Sequence, residues 1–222
     1  MKINSRKRKK KTKKEKRRER CFLDTCVIIE VSKEVNEAMS KKGQKAKLAH
    51  VVEKLYEKCK ECREIWTAQA VLREIKRGKE RSVNNTSYQK VPEVDKVYHD
   101  IDEEFNETNT GRIVISFPEG KLMISDHLEL LEAYEREKKT LKKVKEASYV
   151  LGLNYDLSFV DELILSYCWQ NDFRLITNDE NLRNAYEIGK IIKKYEKIGT
   201  TNSGAKKILS EIKKYLEKRG IR

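Results

Sequence analysis

Four carboxylates are the side chains of this sequence best placed to do chemistry: Asp24, Glu74, Asp161 and Asp179. Two of them close short apolar runs, Phe22-Leu23-Asp24 and Leu175-Ile176-Thr177-Asn178-Asp179. The other two lie in helical patterns beside apolar stripes. Asp161 has Ile164 and Leu165 at i+3 and i+4, and Glu74 has Ala70 and Val71 at i−4 and i−3, so each shares an inward face. A carboxylate turned toward a core is costly to ionise unless a cation or hydrogen-bond donors meet it. A salt bridge from Arg73 or Arg77 meets that need, and so does a metal. Gathered in one place, the four acids repel one another, and an all-oxygen cluster is best neutralised by a hard divalent cation, Mg²⁺ or Mn²⁺. His50, His99 and His127 sit on unrelated segments without ligand spacing, which argues against a histidine-built zinc site. A carboxylate-held dication suits phosphodiester hydrolysis, where it positions water and steadies charge on the leaving oxygen. Asp179 has a second reading, as the cap of a helix that begins at Glu180.

The elements that must position these acids follow from the pattern. Cys21 to Asp24 reads as a buried strand, and Thr25 as the cap of a helix from Val27 to about Met39. A second helix is expected over roughly Lys47 to Arg63, with Val52, Leu55, Cys59 and Cys62 on one face. A short strand, Glu64 to Thr67, leads to a helix from about Gln69 that stops at Gly78. Residues 81–92 are polar and read as a loop, followed by a helical stretch from Val94 to Phe105. Arg112 to Phe117 reads as a strand stopped by Pro118 and Gly120. A long charged helix covers about Ser125 to Tyr149, then an apolar helix runs to Gln170, capped by Ser158 or Asp156. Phe173 to Thr177 is a further strand, and the remainder is helical with a turn at Gly199 to Gly204. Strands separated by helices imply crossover connections and a mostly parallel sheet, whose ligands bind beyond the carboxyl ends of the strands.

The chain has 222 residues and a net charge of +14, and the excess is localised. Residues 1–20 hold thirteen Lys/Arg, among them Lys9, Lys10, Lys11, Arg17 and Arg18, against Glu15 and Glu19. That is a net +11, which leaves +3 for residues 21–222. The first 20 residues therefore read as a disordered basic arm that attracts a polyanion such as RNA. Apolar runs are too short to span a membrane, and the basic start leads into a strand containing Asp24 and not into a signal-peptide core. Five cysteines at irregular spacing argue against a disulfide framework and for a reducing, cytoplasmic setting.

These residues resemble the PIN-domain nucleases. The resemblance rests on Leu23-Asp24-Thr25 at a strand-to-helix turn, Glu74 on a helix after a short strand, and Phe159-Val160-Asp161-Glu162-Leu163-Ile164-Leu165 on an apolar helix. Leu175-Ile176-Thr177-Asn178-Asp179 follows in the family's order and spacing, and residues 21–190 are covered. The resemblance implies a three-layer α/β/α sandwich with a mostly parallel central sheet, here with a helix-rich insertion at about 81–150 and a helical extension over 191–222. It further implies that Asp24, Glu74, Asp161 and Asp179 bind Mg²⁺ or Mn²⁺ for in-line attack of water on RNA, sometimes on DNA flaps. Thr25 and Thr177 match supporting positions, and Glu162 and Asn178 flank matched acids and can replace them. Cys26 departs from the family, standing where Asn or Ser is frequent. Within the family the choice lies between an RNA-processing enzyme and a toxin with an antitoxin protein as partner. The rival is a PIN-like scaffold that binds RNA without cutting it.

Dimerisation is common in the family. The stripe Ile208, Leu209, Ile212 and Leu216 on the last helix serves either a homodimer or, preferred here, packing on the body. Cys59-Lys60-Glu61-Cys62 is a lone CxxC, which Cys21 and Cys26 would be needed to complete as a zinc site; core cysteines are the simpler reading. The Leu-Asp-Thr element is also similar to haloacid-dehalogenase phosphatases, but Cys26 stands where their second aspartate would fall. Trp66 and Trp169 read as core, and Lys142 to Lys145 as a solvated helix face.

Overall fold

The computed structural model describes residues 19–45, 47–59, 62–71, 113–117, 120–197 and 203–220. Glu74, the basic residues Lys9, Lys10, Lys11, Arg17 and Arg18, and the expected helix from Val94 to Phe105 lie outside them. The elements in chain order are β1 (Glu19–Leu23), α1 (Thr25–Ser40), α2 (Leu48–Lys58), β2 (Cys62–Ala68), β3 (Ile113–Phe117) and β4 (Gly120–Ser125). They continue with α3 (His127–Val150), α4 (Phe159–Asn171), β5 (Arg174–Ile176), α5 (Glu180–Lys197) and α6 (Ser203–Lys218). The fold is mixed α/β, as expected. Its five-stranded sheet has the order β3-β4-β2-β1-β5, with β4, β2, β1 and β5 parallel and β3 an antiparallel edge.

The strand order explains why the ends of β1 and β5 matter. From β1 the chain steps to β2 and on to β4, then returns across both to place β5 on the far side of β1. The direction of winding therefore reverses between β1 and β5, and crevices of open parallel sheets form outside the carboxyl ends at such a reversal. β1 lies inside the sheet, between β2 and β5, and reads as a continuous apolar run because both its faces are covered: Cys21, Phe22 and Leu23 are fully buried. Phe22 packs edge-on against Tyr167 of α4 (centroids 5.7 Å apart) and Phe173, while Phe173 also meets Trp66 of β2.

The starts of α1, α3 and α4 are set by side-chain caps. Asp24, and not Thr25, caps α1; Asp126 caps α3 by accepting from Leu128 N at 2.6 Å; Ser158 and Asp161 form a reciprocal box on α4. α1 packs on α2, whereas α3, α4, α5 and α6 pack on one another. Gly189 of α5 lies directly under the Trp169 ring of α4: a Cβ there would stand 2.1 Å from a ring carbon. The Trp169 indole N–H donates to the Tyr186 carbonyl at 3.0 Å. Glu137 of α3, mostly buried, is paired with Lys193 of α5 and accepts from Thr140. Ile212 and Leu216 of α6 are buried, so its stripe packs on the body. Among the described residues no helix is long and apolar enough to cross a membrane.

Three local expectations are corrected. Helix α2 ends at Lys58, and Cys62 lies on β2, not on the helix face with Cys59. Gly120 to Ser125, lying between the expected strand end and the long helix, is itself a strand that pairs parallel with β2 and antiparallel with β3. Cys21 and Cys62, read as reduced, are joined by a disulfide between neighbouring strands with a Cα–Cα distance of 5.8 Å. Cys26, Cys59 and Cys168 are free. With Cys21 and Cys62 bonded to each other, the four-cysteine zinc alternative has no ligand set.

Candidate active site

The site begins with a buried carboxylate. Asp24 follows β1 directly and is only 4% exposed. Its backbone N–H extends the parallel ladder to the Ile176 carbonyl (3.1 Å), which fixes the end of β1 beside the end of β5. One carboxylate oxygen accepts from the Thr25 N–H at 2.6 Å. The other accepts from the Thr177 hydroxyl at 2.8 Å and from the Cys26 thiol at 2.9 Å. Residues 153 apart in sequence thus share a buried, charge-assisted hydrogen bond at the reversal of the strand order.

Thr177 links Asp24 to the next expected acid. Its hydroxyl oxygen accepts from the Asp179 N–H at 3.0 Å, while Asp179 Oδ1 accepts from Leu182 N at 3.1 Å and so caps α5. The capping reading of Asp179 is therefore realised, and its side chain is otherwise exposed at the same edge. The Arg183 guanidinium donates to the Thr177 carbonyl, and Asn178 Nδ2 donates to Glu30. Thr25, proposed as a supporting residue, acts here through its backbone N–H on Asp24.

Asp161 is placed by topology. α4 ends one residue before Asp172, whose left-handed conformation (φ 55°) turns the chain into β5. The helix thus runs antiparallel to β5 and starts at the edge where β1 and β5 finish. It also covers the face to which Phe22, and two residues later Asp24, point: Phe22 meets Tyr167, and the Asp24 charge helps raise the buried Cys168 thiol, after burial itself. Asp161 thus stands at the same edge and on the same face as Asp24. Its Oδ2 accepts from Ser158 N at 2.8 Å, so it also serves its own helix. Glu162 accepts a long hydrogen bond from Tyr155 Oη (3.4 Å) on the flank.

Two further residues stand at this edge, Cys26, which the sequence marked as a departure from the resembled family, and Ser125, which it did not mark. The Cys26 thiol donates to Asp24, lies 3.5 Å from Thr177 Oγ1, and accepts from the Asn178 N–H at 3.2 Å. Burial, and then the Asp24 carboxylate, push its pKa up, so it acts as a neutral donor. The polar Asn or Ser expected there from the resemblance is replaced by a thiol that still donates to the carboxylate. Ser125 ends β4 opposite Ala68 of β2; extending the β1–β2 register from Phe22↔Trp66 aligns Ala68 with Asp24. Aligned residues of a parallel sheet share a face, and two strand spacings put Ser125 about 10 Å from Asp24. The Ser125 hydroxyl is fully buried and has no hydrogen-bond partner among the described residues, nor does His127 Nδ1 two residues on.

The described acids come together only in part. Among the described residues no group of three or more His, Cys, Asp or Glu side chains is arranged to hold a metal ion. Asp24 and Asp161 supply two hard carboxylates at one edge. Residues 69–71, which begin the helix expected to carry Glu74, start beside Asp24 at the end of β2. The donor chemistry is thus all-oxygen apart from Cys26, and it fits Mg²⁺ or Mn²⁺ better than zinc. Comparison with protein-family models, with curated proteins and with solved structures returned no match.

Proposed function

We propose that this chain is a metal-dependent endoribonuclease of the PIN-domain type, in which Asp24, Glu74 and Asp161 hold one Mg²⁺ or Mn²⁺. The observation that carries the reading is Asp24: a nearly buried carboxylate, fixed by Thr177 from a strand far off in sequence, at the reversal of the strand order. Right-handed crossovers in the two opposite directions would put α1 and α2 on one face of the sheet and α3 and α4 on the other, the three-layer arrangement of that family. A divalent cation in such a site supplies a lowered pKa for bound water and screening of charge on the phosphate. Thr25 N–H and the Thr177 hydroxyl orient the Asp24 carboxylate, and the Ser158 cap orients Asp161 at the start of α4. Asp179 serves α5 first and contributes to the site from its exposed side. The arm at residues 1–20 draws the polyanionic substrate.

One observation favours the rival reading of an RNA-binding scaffold without catalysis. Asp161 and Asp179 each spend a carboxylate oxygen on capping their own helices. A labelled single-stranded RNA separates the two. The enzyme cuts it with Mn²⁺, stops with EDTA, and loses at least a hundredfold in rate in Asp161→Asn; binding without any cutting by the wild-type chain would establish the scaffold instead.

A further inference from the structure

A cleft of about 200 Å³ opens on the flank of α4's first turn. Its floor is one face of α3, where Tyr134, Lys138, Lys142 and Lys145 recur at helical spacing; Tyr155 and Glu162 form the opposite wall. Three ammonium groups therefore face one carboxylate. Rings and cations alternate: Lys138 Nζ lies 5.4 Å from the Tyr134 centroid and Lys145 Nζ 6.0 Å from that of Tyr155. Tyr134 is met edge-on by Phe159 at 5.2 Å, and Phe159, the first residue of α4, is 53% exposed. Two residues beyond Phe159 is Asp161.

We propose that this cleft binds a nucleotide unit of a single-stranded polynucleotide, with a base against Tyr155 and Phe159 and the neighbouring phosphates on Lys138, Lys142 and Lys145. Lysines interleaved with aromatic rings, here the half-buried Tyr134 and Tyr155 with the exposed Phe159 beside Tyr134, are the usual chemistry of sequence-tolerant strand binding. From Lys138 to Lys145 the floor spans about 10 Å of helix, so more than one phosphate meets a cation. The ion pairs of these lysines are exposed, Lys138 with Glu135 at 2.6 Å and Lys142 with Glu146 at 4.0 Å, and such pairs yield readily to a phosphate. A flat membrane surface does not enter so narrow a cleft, and an acidic peptide leaves the rings unused. Glu162 lies at the end nearest Asp161, where it turns the phosphates back toward the lysines. The site deepens the nuclease reading by leading the strand past Asp161, but binding there does not depend on cutting.

The test uses the full chain in EDTA, so that nothing is cleaved, with a fluorescent twelve-nucleotide oligouridine read by anisotropy. Lys142→Gln with Lys145→Gln is expected to weaken binding at least tenfold and to lower the slope of log affinity against log salt by about 1.4. Phe159→Ala, at an exposed position, is expected to weaken it about five- to a hundredfold. An oligonucleotide carrying 4-thiouridine should crosslink to the peptide containing Tyr155 and Phe159. Wild-type affinity and slope in the lysine variant, crosslinks confined to residues 1–20, or equal competition by polyglutamate would overturn the proposal. Cleavage in Mn²⁺, read separately on the same protein, decides the nuclease reading without touching this one.

Discussion

Thr177→Val isolates the bond that joins the two halves of the site. Valine keeps the shape of threonine and removes the hydroxyl that donates to Asp24 at 2.8 Å. The Asp179 N–H also loses its acceptor, but Asp179 is exposed and water replaces it. Asp24 is 4% exposed, so no water replaces the donor there. A hydrogen bond to a charged group contributes about 1.5–3 kcal/mol. The Thr25 N–H and the weaker Cys26 thiol remain on the carboxylate, which puts the expected loss in the lower half of that range, about 2 kcal/mol. With a urea slope of about 2 kcal/mol per molar, the midpoint of unfolding falls by about 1 M. The same substitution in an Asp24→Asn background closes a double-mutant cycle, and a coupling of at least about 1 kcal/mol is expected. A Thr177→Val protein within about 0.5 kcal/mol of wild type, or an equal loss in both backgrounds, would refute the placement of Asp24 against Thr177.

Other outcomes follow from the packing and the thiols. Gly189→Ala drives a methyl group into the Trp169 ring and is expected to destabilise by about 1–3 kcal/mol in the same urea assay, with Trp169 fluorescence altered; an unchanged midpoint would mean that α4 and α5 do not approach as described. Unfolded without reductant, the chain should titrate three thiols, rising to five after reduction, because Cys21 and Cys62 are bonded. Five thiols before reduction would remove that bond. In the folded protein Cys26 should alkylate more slowly at pH 8 than in the unfolded chain, since burial and the Asp24 charge raise its pKa and keep it protonated; peptide mapping by mass spectrometry checks this.

The parts legible in sequence were those with a strong local signal. The apolar run to Leu23, the Ser158 cap before an apolar helix and the short strand before Asp179 all reappear. Asp24 stands out as an acid that closes an apolar strand and Thr177 only through the resemblance, as the hydroxyl near Asp179; the structure joins the two. β4 was missed because Pro118 and Gly120 read as an end, whereas the chain resumes at once into Leu122, Met123 and Ile124 and pairs with β2. α2 was drawn too long because nothing after Lys58 breaks a helix: Cys59 to Arg63 contain neither Gly nor Pro, and only the pairing of Cys62 with β1 shows the change to a strand. Ser125 carries no motif, and Cys26 stands out only as a departure from one; their contacts depend on register and on the return of the chain to β5, which local patterns do not contain. Lys142 to Lys145 read as a solvated helix face for the same reason, since Tyr155, which walls the cleft over Lys142 and Lys145, lies beyond the end of their helix.

Asp24 and Asp161, remote in sequence, are proposed to hold one hard dication together. Titration of Mn²⁺ into the full chain, followed by the paramagnetic resonance of the free ion, measures this without any substrate. Wild type is expected to remove one Mn²⁺ per chain from the free signal, while Asp24→Asn and Asp161→Asn each weaken that site at least tenfold. Binding that survives both substitutions unchanged, or a wild-type chain that takes up no Mn²⁺ at millimolar concentration, would contradict the account.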